Sequence, residues 1–192
     1  YSTVSTAACV ACVAGKYVES TGSSAETDCI LCGIGKYSHV VGSSTANDCL
    51  DCVAGKFVAV EGSDDAGDCA ECAPGSVTNT LASSGASSCL HCDAGQYSTV
   101  STDACIACVA GKYVESTGSS AETDCILCGI GKYSHVVGSS TVNDCLECVA
   151  GRFVAVEGSD DAADCAECDA GKYSVVTGSG AVDDCLDCIA GK

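Results

Sequence analysis

Apolar positions in this chain never gather into a long run. They arrive in twos and threes, alternate with polar residues, and are cut short by glycine-serine turns. The stretch Lys16-Tyr17-Val18-Glu19-Ser20 alternates and carries strand formers. Thr21-Gly22-Ser23-Ser24 has turn chemistry, and the chain then returns through Ala25-Glu26-Thr27-Asp28 to a cysteine. This pattern predicts a short, irregular hairpin and no helix anywhere. A glycine opens each such unit, at Gly15, Gly35, Gly55, Gly75, Gly95, Gly111, Gly131, Gly151, Gly171 and Gly191. It is expected to supply a positive φ or to let another chain segment come close.

The hairpin pattern recurs because the sequence is a repeat. Ten Cys-x-x-Cys pairs begin at Cys9, Cys29, Cys49, Cys69, Cys89, Cys105, Cys125, Cys145, Cys165 and Cys185. The step is 20 residues, with one step of 16 between Cys89 and Cys105, so five steps make a super-repeat of 96 residues. Residues 1–72 and 97–168 differ at six positions, and Ala7 to Asp103 alone changes the charge. Two domains are therefore expected, residues 1–96 and 97–192, each a super-repeat of five modules. Twelve residues separate Cys188 from Cys9 when the end is joined to the start, the same gap that separates Cys92 from Cys105. The expectation is that these residues are one period of a longer array.

Composition narrows the class. With 20 cysteines in 192 residues, the chain belongs among disulfide scaffolds or metal-thiolate proteins. The 47% hydrophobic share rests on alanine, valine and cysteine, with two phenylalanines, seven tyrosines and no tryptophan or methionine, so no large core can form. A module of 20 residues cannot offset its own ordering entropy, so it needs staples and neighbours, and a rod of stacked modules is expected. The net charge of −18 repels phosphate backbones and anionic lipid, which argues against nucleic acid as a partner. No apolar run approaches the roughly 18 residues of a membrane span, and no insertion of this segment is expected.

Three chemistries fit the cysteine pairs: structural disulfides, tetrathiolate zinc and redox dithiols. The spacing Cys-x2-Cys-x16-Cys-x2-Cys is that of a zinc ribbon. Yet every pair stands at nearly the same distance from the pair before and the pair after, so nothing selects which two would share a metal. A redox dithiol needs a cationic neighbour or a helix N-terminus, and neither is readable. The segments Cys12-Val-Ala-Gly-Lys-Tyr17 through Cys29, and Cys32-Gly-Ile-Gly-Lys-Tyr37 through Cys49, resemble the cysteine-rich repeats of ephrin-receptor-like ectodomains. They are also similar to the single-disulfide module that opens tumour-necrosis-factor-receptor repeats. That resemblance implies that the second cysteine of each pair joins the first of the next: Cys12 with Cys29, Cys32 with Cys49, Cys52 with Cys69, Cys72 with Cys89, Cys92 with Cys105, Cys108 with Cys125, Cys128 with Cys145, Cys148 with Cys165, and Cys168 with Cys185. Cys9 and Cys188 are left over and would pair with each other across the array join.

Other residues have plainer expected roles. The aromatics Tyr17, Tyr37, Phe57, Tyr97, Tyr113, Tyr133, Phe153 and Tyr173 share one repeat position, where packing on the adjacent disulfide and the next module is expected. The aspartates before cysteines, such as Asp28 and Asp124, are expected to cap turns, because calcium loops need several alternating oxygen ligands. Glu61-Gly-Ser-Asp64-Asp65 and its copy at 157–161 are the nearest approach to a cation site. His39, His91 and His135 are expected at the surface without a catalytic neighbour. The hairpin-tip serines Ser23, Ser24, Ser43, Ser44, Ser119, Ser120, Ser139 and Ser140 form a periodic row suited to O-glycans, and no Asn-x-Ser/Thr sequon exists. Residues 73–88 break the pattern: they lack the lysine, the aromatic and the terminal aspartate, and hold the one proline. A bend, a glycan-rich patch or a lateral contact would each account for them.

These features predict a secreted, extracellular or cell-surface structural protein without catalysis or cofactor: a disulfide-stapled fibre, stalk or flagellar-hair-like appendage whose partners are copies of itself. A receptor or adhesin ectodomain binding a protein ligand is the alternative. A zinc-thiolate protein comes third.

Overall fold

The computed structural model describes residues 1–2 and 8–190. Gly191 of the glycine series therefore lies outside the described residues. No α-helix occurs among them, and the sheets are nine separate two-stranded antiparallel hairpins. Small disulfide-rich tandem modules are thus the fold, as the alternating pattern predicts.

One module illustrates the rest. Lys16–Tyr17 pairs with Ile30–Leu31, with Tyr17 opposite Ile30. The strands are only two residues long, and Cys29 of the disulfide Cys12–Cys29 stands directly before the second of them. Gly15 enters the first strand at φ +79°, a conformation that costs an L side chain roughly 1 kcal/mol or more. The returning limb carries a single 3₁₀ turn, Glu26–Asp28. Its aspartate folds back, so that Asp28 Oδ2 accepts from the N–H groups of Ser24 and Ala25 at 2.8 and 3.1 Å. Seven such turns occur among the described residues, each ending on the aspartate before a cysteine.

Consecutive modules are joined through their backbones. The residue after the aromatic donates its N–H to the carbonyl of the tip serine one module on: Val18 to Ser43 at 3.1 Å, Ser38 to Ser63 at 3.0 Å, Val114 to Ser139 at 3.1 Å, Val154 to Ser179 at 3.1 Å. The tip glycine of the later module donates in return to the cysteine carbonyl of the earlier one, as Gly42 does to Cys12 at 2.8 Å and Gly138 to Cys108 at 2.7 Å. A third bond runs from the entry glycine to the next module, Gly15 to Ser38 at 2.7 Å and Gly111 to Ser134 at 2.8 Å. The contact also reaches two modules along. A Cβ on Gly15 would overlap the carbonyl of Gly62, and one on Gly111 the carbonyl of Gly158. Gly15 and Gly111 thus meet both demands, positive φ and close approach.

The chain forms two compact units, one of residues 1–91 with 100–104 and the other of residues 92–99 with 105–192. In the first unit the atypical residues 73–88 keep the joining bonds by a shift in register. Gly85 donates to Cys52 at 2.8 Å, and Val58 donates to Ala86 at 3.2 Å, so Gly85-Ala86 stands where Gly62-Ser63 stands one module earlier. The longer outgoing limb is held by Asn79, whose side chain bonds both the hydroxyl and the N–H of Ser87. Thr78 then donates its N–H to Ser101 at 2.9 Å. In the second unit Ser98 donates to Ser119 and Gly95 to Val114, at 3.0 and 2.8 Å.

Candidate functional site

Among the described residues the buried hydrophobic side chains are cysteine, valine and one alanine, so the disulfides and the surfaces around them form the candidate site. Nine disulfides occur among the described residues, Cys12–Cys29, Cys32–Cys49, Cys52–Cys69, Cys72–Cys89, Cys92–Cys105, Cys108–Cys125, Cys128–Cys145, Cys148–Cys165 and Cys168–Cys185. Their Cα–Cα separations lie between 5.5 and 5.8 Å. Cys9 and Cys188 are free and exposed. Disulfides of this number form and persist in an oxidising compartment. Among the described residues no three His, Cys, Asp or Glu side chains group as a metal site would require. No helix among them is long and apolar enough to cross a membrane.

Three of the repeated aromatics lie on the disulfide of the module that follows. Tyr37 packs on Cys52, Cys69 and Val58, Tyr97 on Cys108, Cys125 and Val114, and Tyr133 on Cys148, Cys165 and Val154. A half-buried ring laid on sulfur contributes on the order of 1 kcal/mol beyond the burial of its area. The repeated aromatic is therefore joinery.

The tip serines fall into two groups. Ser43, Ser119 and Ser139 are 2%, 7% and 1% exposed. Their carbonyls receive the inter-module bonds, and the Ser139 hydroxyl lies between the Ser134 hydroxyl at 3.1 Å and the Val136 carbonyl at 3.0 Å. Such a hydroxyl is buried in the folded chain, so of the expected periodic row Ser43, Ser119 and Ser139 are not at the surface. Ser23 is half-buried and donates to the Ser20 carbonyl at 3.0 Å. Ser24, Ser44 and Ser140 are exposed and Ser120 is half-buried, and each donates its N–H to the aspartate that closes its turn.

Charged groups are spent on local structure. All seven described lysine and arginine side chains are ion-paired: Lys16 with Glu26, Lys36 with Asp51, Lys56 with Glu71, Lys112 with Glu122, Lys132 with Glu147, Arg152 with Glu167 and Lys172 with Asp187. Most of these pairs lie opposite each other across a hairpin, and being exposed they are each worth little. The hydrogen bond to Asp187 raises the Lys172 ammonium above its ordinary value. The carboxyl of Asp28 is held below its ordinary value by the N–H groups of Ala25 and Ser24. In the acidic loops, Asp65 and Asp161 accept from Gly67 and Ala163 at 2.7 Å, and Asp68 and Asp164 close their turns. Glu19 and Glu115 reach forward to the N–H of Ala46 and Val142 in the next module, at 3.1 and 3.0 Å.

His39 and His135 are exposed. His91 is exposed too, but its Nδ1 lies 2.8 Å from the hydroxyl of Ser76. Ser76 is buried on the paired strand, so this contact joins strands and offers no reachable nucleophile. Two open grooves recur at one position of the super-repeat, between Val18 and Ile30 and between Tyr113 and Ile126, with volumes of about 420 and 560 Å³. They are the spaces between the two limbs of a hairpin.

Sequence reasoning missed the tip Gly-Ser as an interface element, the 3₁₀ turn, and the forward reach of Glu19. A signal was present for the first: Gly-Ser recurs at 22–23, 42–43, 62–63, 118–119, 138–139, 158–159 and 178–179, more regularly than a free turn requires. No family model matches this chain, and no curated protein matches it either.

Proposed function

We propose that this chain is an extracellular structural protein, a tandem array of disulfide-stapled modules that serves as the scaffold of a fibre, stalk or surface appendage and carries out no catalysis. One observation carries the reading. Beside the cysteines, the positions that recur from module to module, the entry glycine, the aromatic and the tip Gly-Ser, include those that join one module to the next. A chain whose recurrent residues serve continuation is built to extend. The nine disulfides and the exposed Ser24, Ser44 and Ser140 fit a secreted, O-glycosylated surface protein.

A receptor or adhesin ectodomain is the second reading, favoured by exposed valines such as Val41, Val60, Val137 and Val156. These recur at equivalent positions in both halves, whereas a ligand site concentrates its anchors in one place. An antibody against the chain decides the matter on source cells, used with fractionation with and without reductant. The scaffold reading expects label on extracellular fibres or coat, solubilised only after reduction. Label confined to the cytosol, with every cysteine open to alkylation, would sink it and return zinc to the front.

A further inference from the structure

We propose that the loop 78–84 of the atypical module is a lateral contact surface whose occupant is the same loop of a second copy of this chain, a contact that rests on the scaffold reading and gives it a link between neighbouring chains.

Leu81 is the one residue other than glycine with positive φ among the described residues, at 51°. Everywhere else among them the chain meets that conformation with glycine, because an L side chain there crowds the following carbonyl. Here a leucine is kept, 37% exposed, at an apex completed by the exposed Ala82, Ser83 and Ser84. Hydrogen bonds on both sides hold the apex in place. The Thr78 hydroxyl donates to the Leu81 carbonyl at 2.9 Å, and the Leu81 N–H donates to the Thr78 carbonyl at 3.0 Å. The Thr80 hydroxyl donates to the Ser83 carbonyl at 2.8 Å, and the Ser83 N–H donates back to Thr80 at 3.1 Å. Thr78 itself is fully buried, and Asn79 is clasped to Ser87. An apolar side chain held in a strained conformation by its surroundings, yet left outside the core, is arranged in advance for contact.

Charge decides what the contact is with. The stretch 72–92 holds no Asp, Glu, Lys or Arg, in a chain of net charge −18. Its counterpart 168–188 holds Asp169, Lys172, Asp183, Asp184 and Asp187. The acid that meets the loop from another module, Asp51, accepts from the Ser84 hydroxyl at 3.4 Å and is paired with Lys36. Glu71, just before the stretch, is paired with Lys56. Two copies of an acidic chain repel each other, and the repulsion is least where charge is absent. A basic partner would instead be drawn to the acidic remainder. Leu81 and Ala82 are apolar, and the hydroxyls of Ser83 and Ser84 can each donate and accept, so the apex is complementary to itself across a twofold axis. Its few residues fall far short of the roughly 20 a side of a stable interface, so the pairing is weak and depends on concentration.

The test is sedimentation equilibrium of the oxidised chain, with any open thiols blocked, over a concentration series at low salt and at about 0.15 M. The expected result is a reversible monomer–dimer equilibrium that salt strengthens several-fold, with the amide resonances of Leu81, Ala82 and Ser83 shifting as concentration rises. Leu81→Asn removes the apolar anchor but suits positive φ, so it should weaken the dimer about tenfold or more while the loop folds at least as well. Ala82→Asp should weaken the dimer at low salt and recover in part at high salt. Val156→Asn, at an exposed valine elsewhere, should change nothing, and disulfide mapping of each variant should return the same nine bridges. A dimer that either loop variant leaves intact, or that Val156→Asn weakens as much, would overturn the proposal. A chain monomeric at every concentration would overturn it too, and would leave the loop to a protein other than this chain. None of these outcomes touches the scaffold reading, whose failure is read separately, from cytosolic label on source cells.

Discussion

At the residue scale, the same serine does different work according to the residue beneath it. Ser139 faces Ser134 and is satisfied, whereas the buried hydroxyls of Ser63 and Ser159, with Val58 and Val154 at the corresponding position, have no hydrogen-bond partner. Ser139→Ala should therefore cost about 1 kcal/mol, and Ser159→Ala should be neutral or slightly stabilising. Hydrogen-exchange protection of the amides bonded to those two carbonyls, Val114 and Ser134, measures the difference. Asp28 gives a pH dependence of definite sign. Its folded-state pKa is lowered, so its contribution is present above the ordinary carboxylate range and is lost as pH falls through the folded value. The amide resonances of Ser24 and Ala25 should report that loss on acidification, and Asp28→Asn should flatten the titration. The capping role of Asp28 was legible in the sequence as an aspartate closing a turn before a cysteine, whereas the orphan hydroxyl was not, since turn composition is the same whether a serine faces solvent or a neighbouring module.

At the scale of the element, hairpins were legible and their ends were not. Alternation around Lys16–Tyr17 marks a strand, and Thr21-Gly22 marks a turn. The 3₁₀ turn has no apolar period to announce it, being one turn held by one carboxylate. The register shift in residues 73–88 was legible only as a departure, because what matters there is which glycine meets the Cys52 carbonyl. Entry glycines offer a controlled comparison. Gly111 and Gly151 share φ values of 80° and 82°, but a Cβ overlaps the Gly158 carbonyl at the first and meets nothing at the second. Gly151→Ala should cost roughly 1 kcal/mol for its backbone conformation. Gly111→Ala should cost about 2 kcal/mol more, because a backbone carbonyl has to move. Exchange protection of the Gly111 and Val114 amides, which bond to the next module, checks this.

For the whole molecule, stability is shared among near neighbours. Most bridges span 17 residues, and such a loop is worth on the order of 3 kcal/mol, comparable to what a small module has in total. Replacing Cys128 and Cys145 together by serine should open that hairpin and its neighbours to exchange and proteolysis while leaving the protection around Cys32–Cys49 unchanged. Loss of protection along the whole chain would contradict nearest-neighbour coupling. Charge acts at the same scale. With a net charge of −18 and every described cation already paired, the acidic surplus repels itself. Raising salt from a few millimolar to about 0.15 M shortens the Debye length to about 8 Å and should raise the thermal midpoint. A midpoint indifferent to salt would show the surplus to be too dispersed to matter.

Period, module boundaries, the absence of α-helix and the dependence on disulfides follow from the sequence alone, because they are local or statistical properties: cysteine spacing, alternation and residue size. Which cysteine meets which does not follow, since each pair is equidistant from two others and only the folded chain breaks that tie. The same is true of the tip serines, whose burial depends on a module 20 residues away. It is true of entry glycines such as Gly15 and Gly111, which are confined by a carbonyl two modules along. Contacts between modules are made by backbone groups that every residue carries, and sequence marks them only where a side chain must be absent. The tertiary structure decided those contacts because it alone sets which identical groups stand opposite each other.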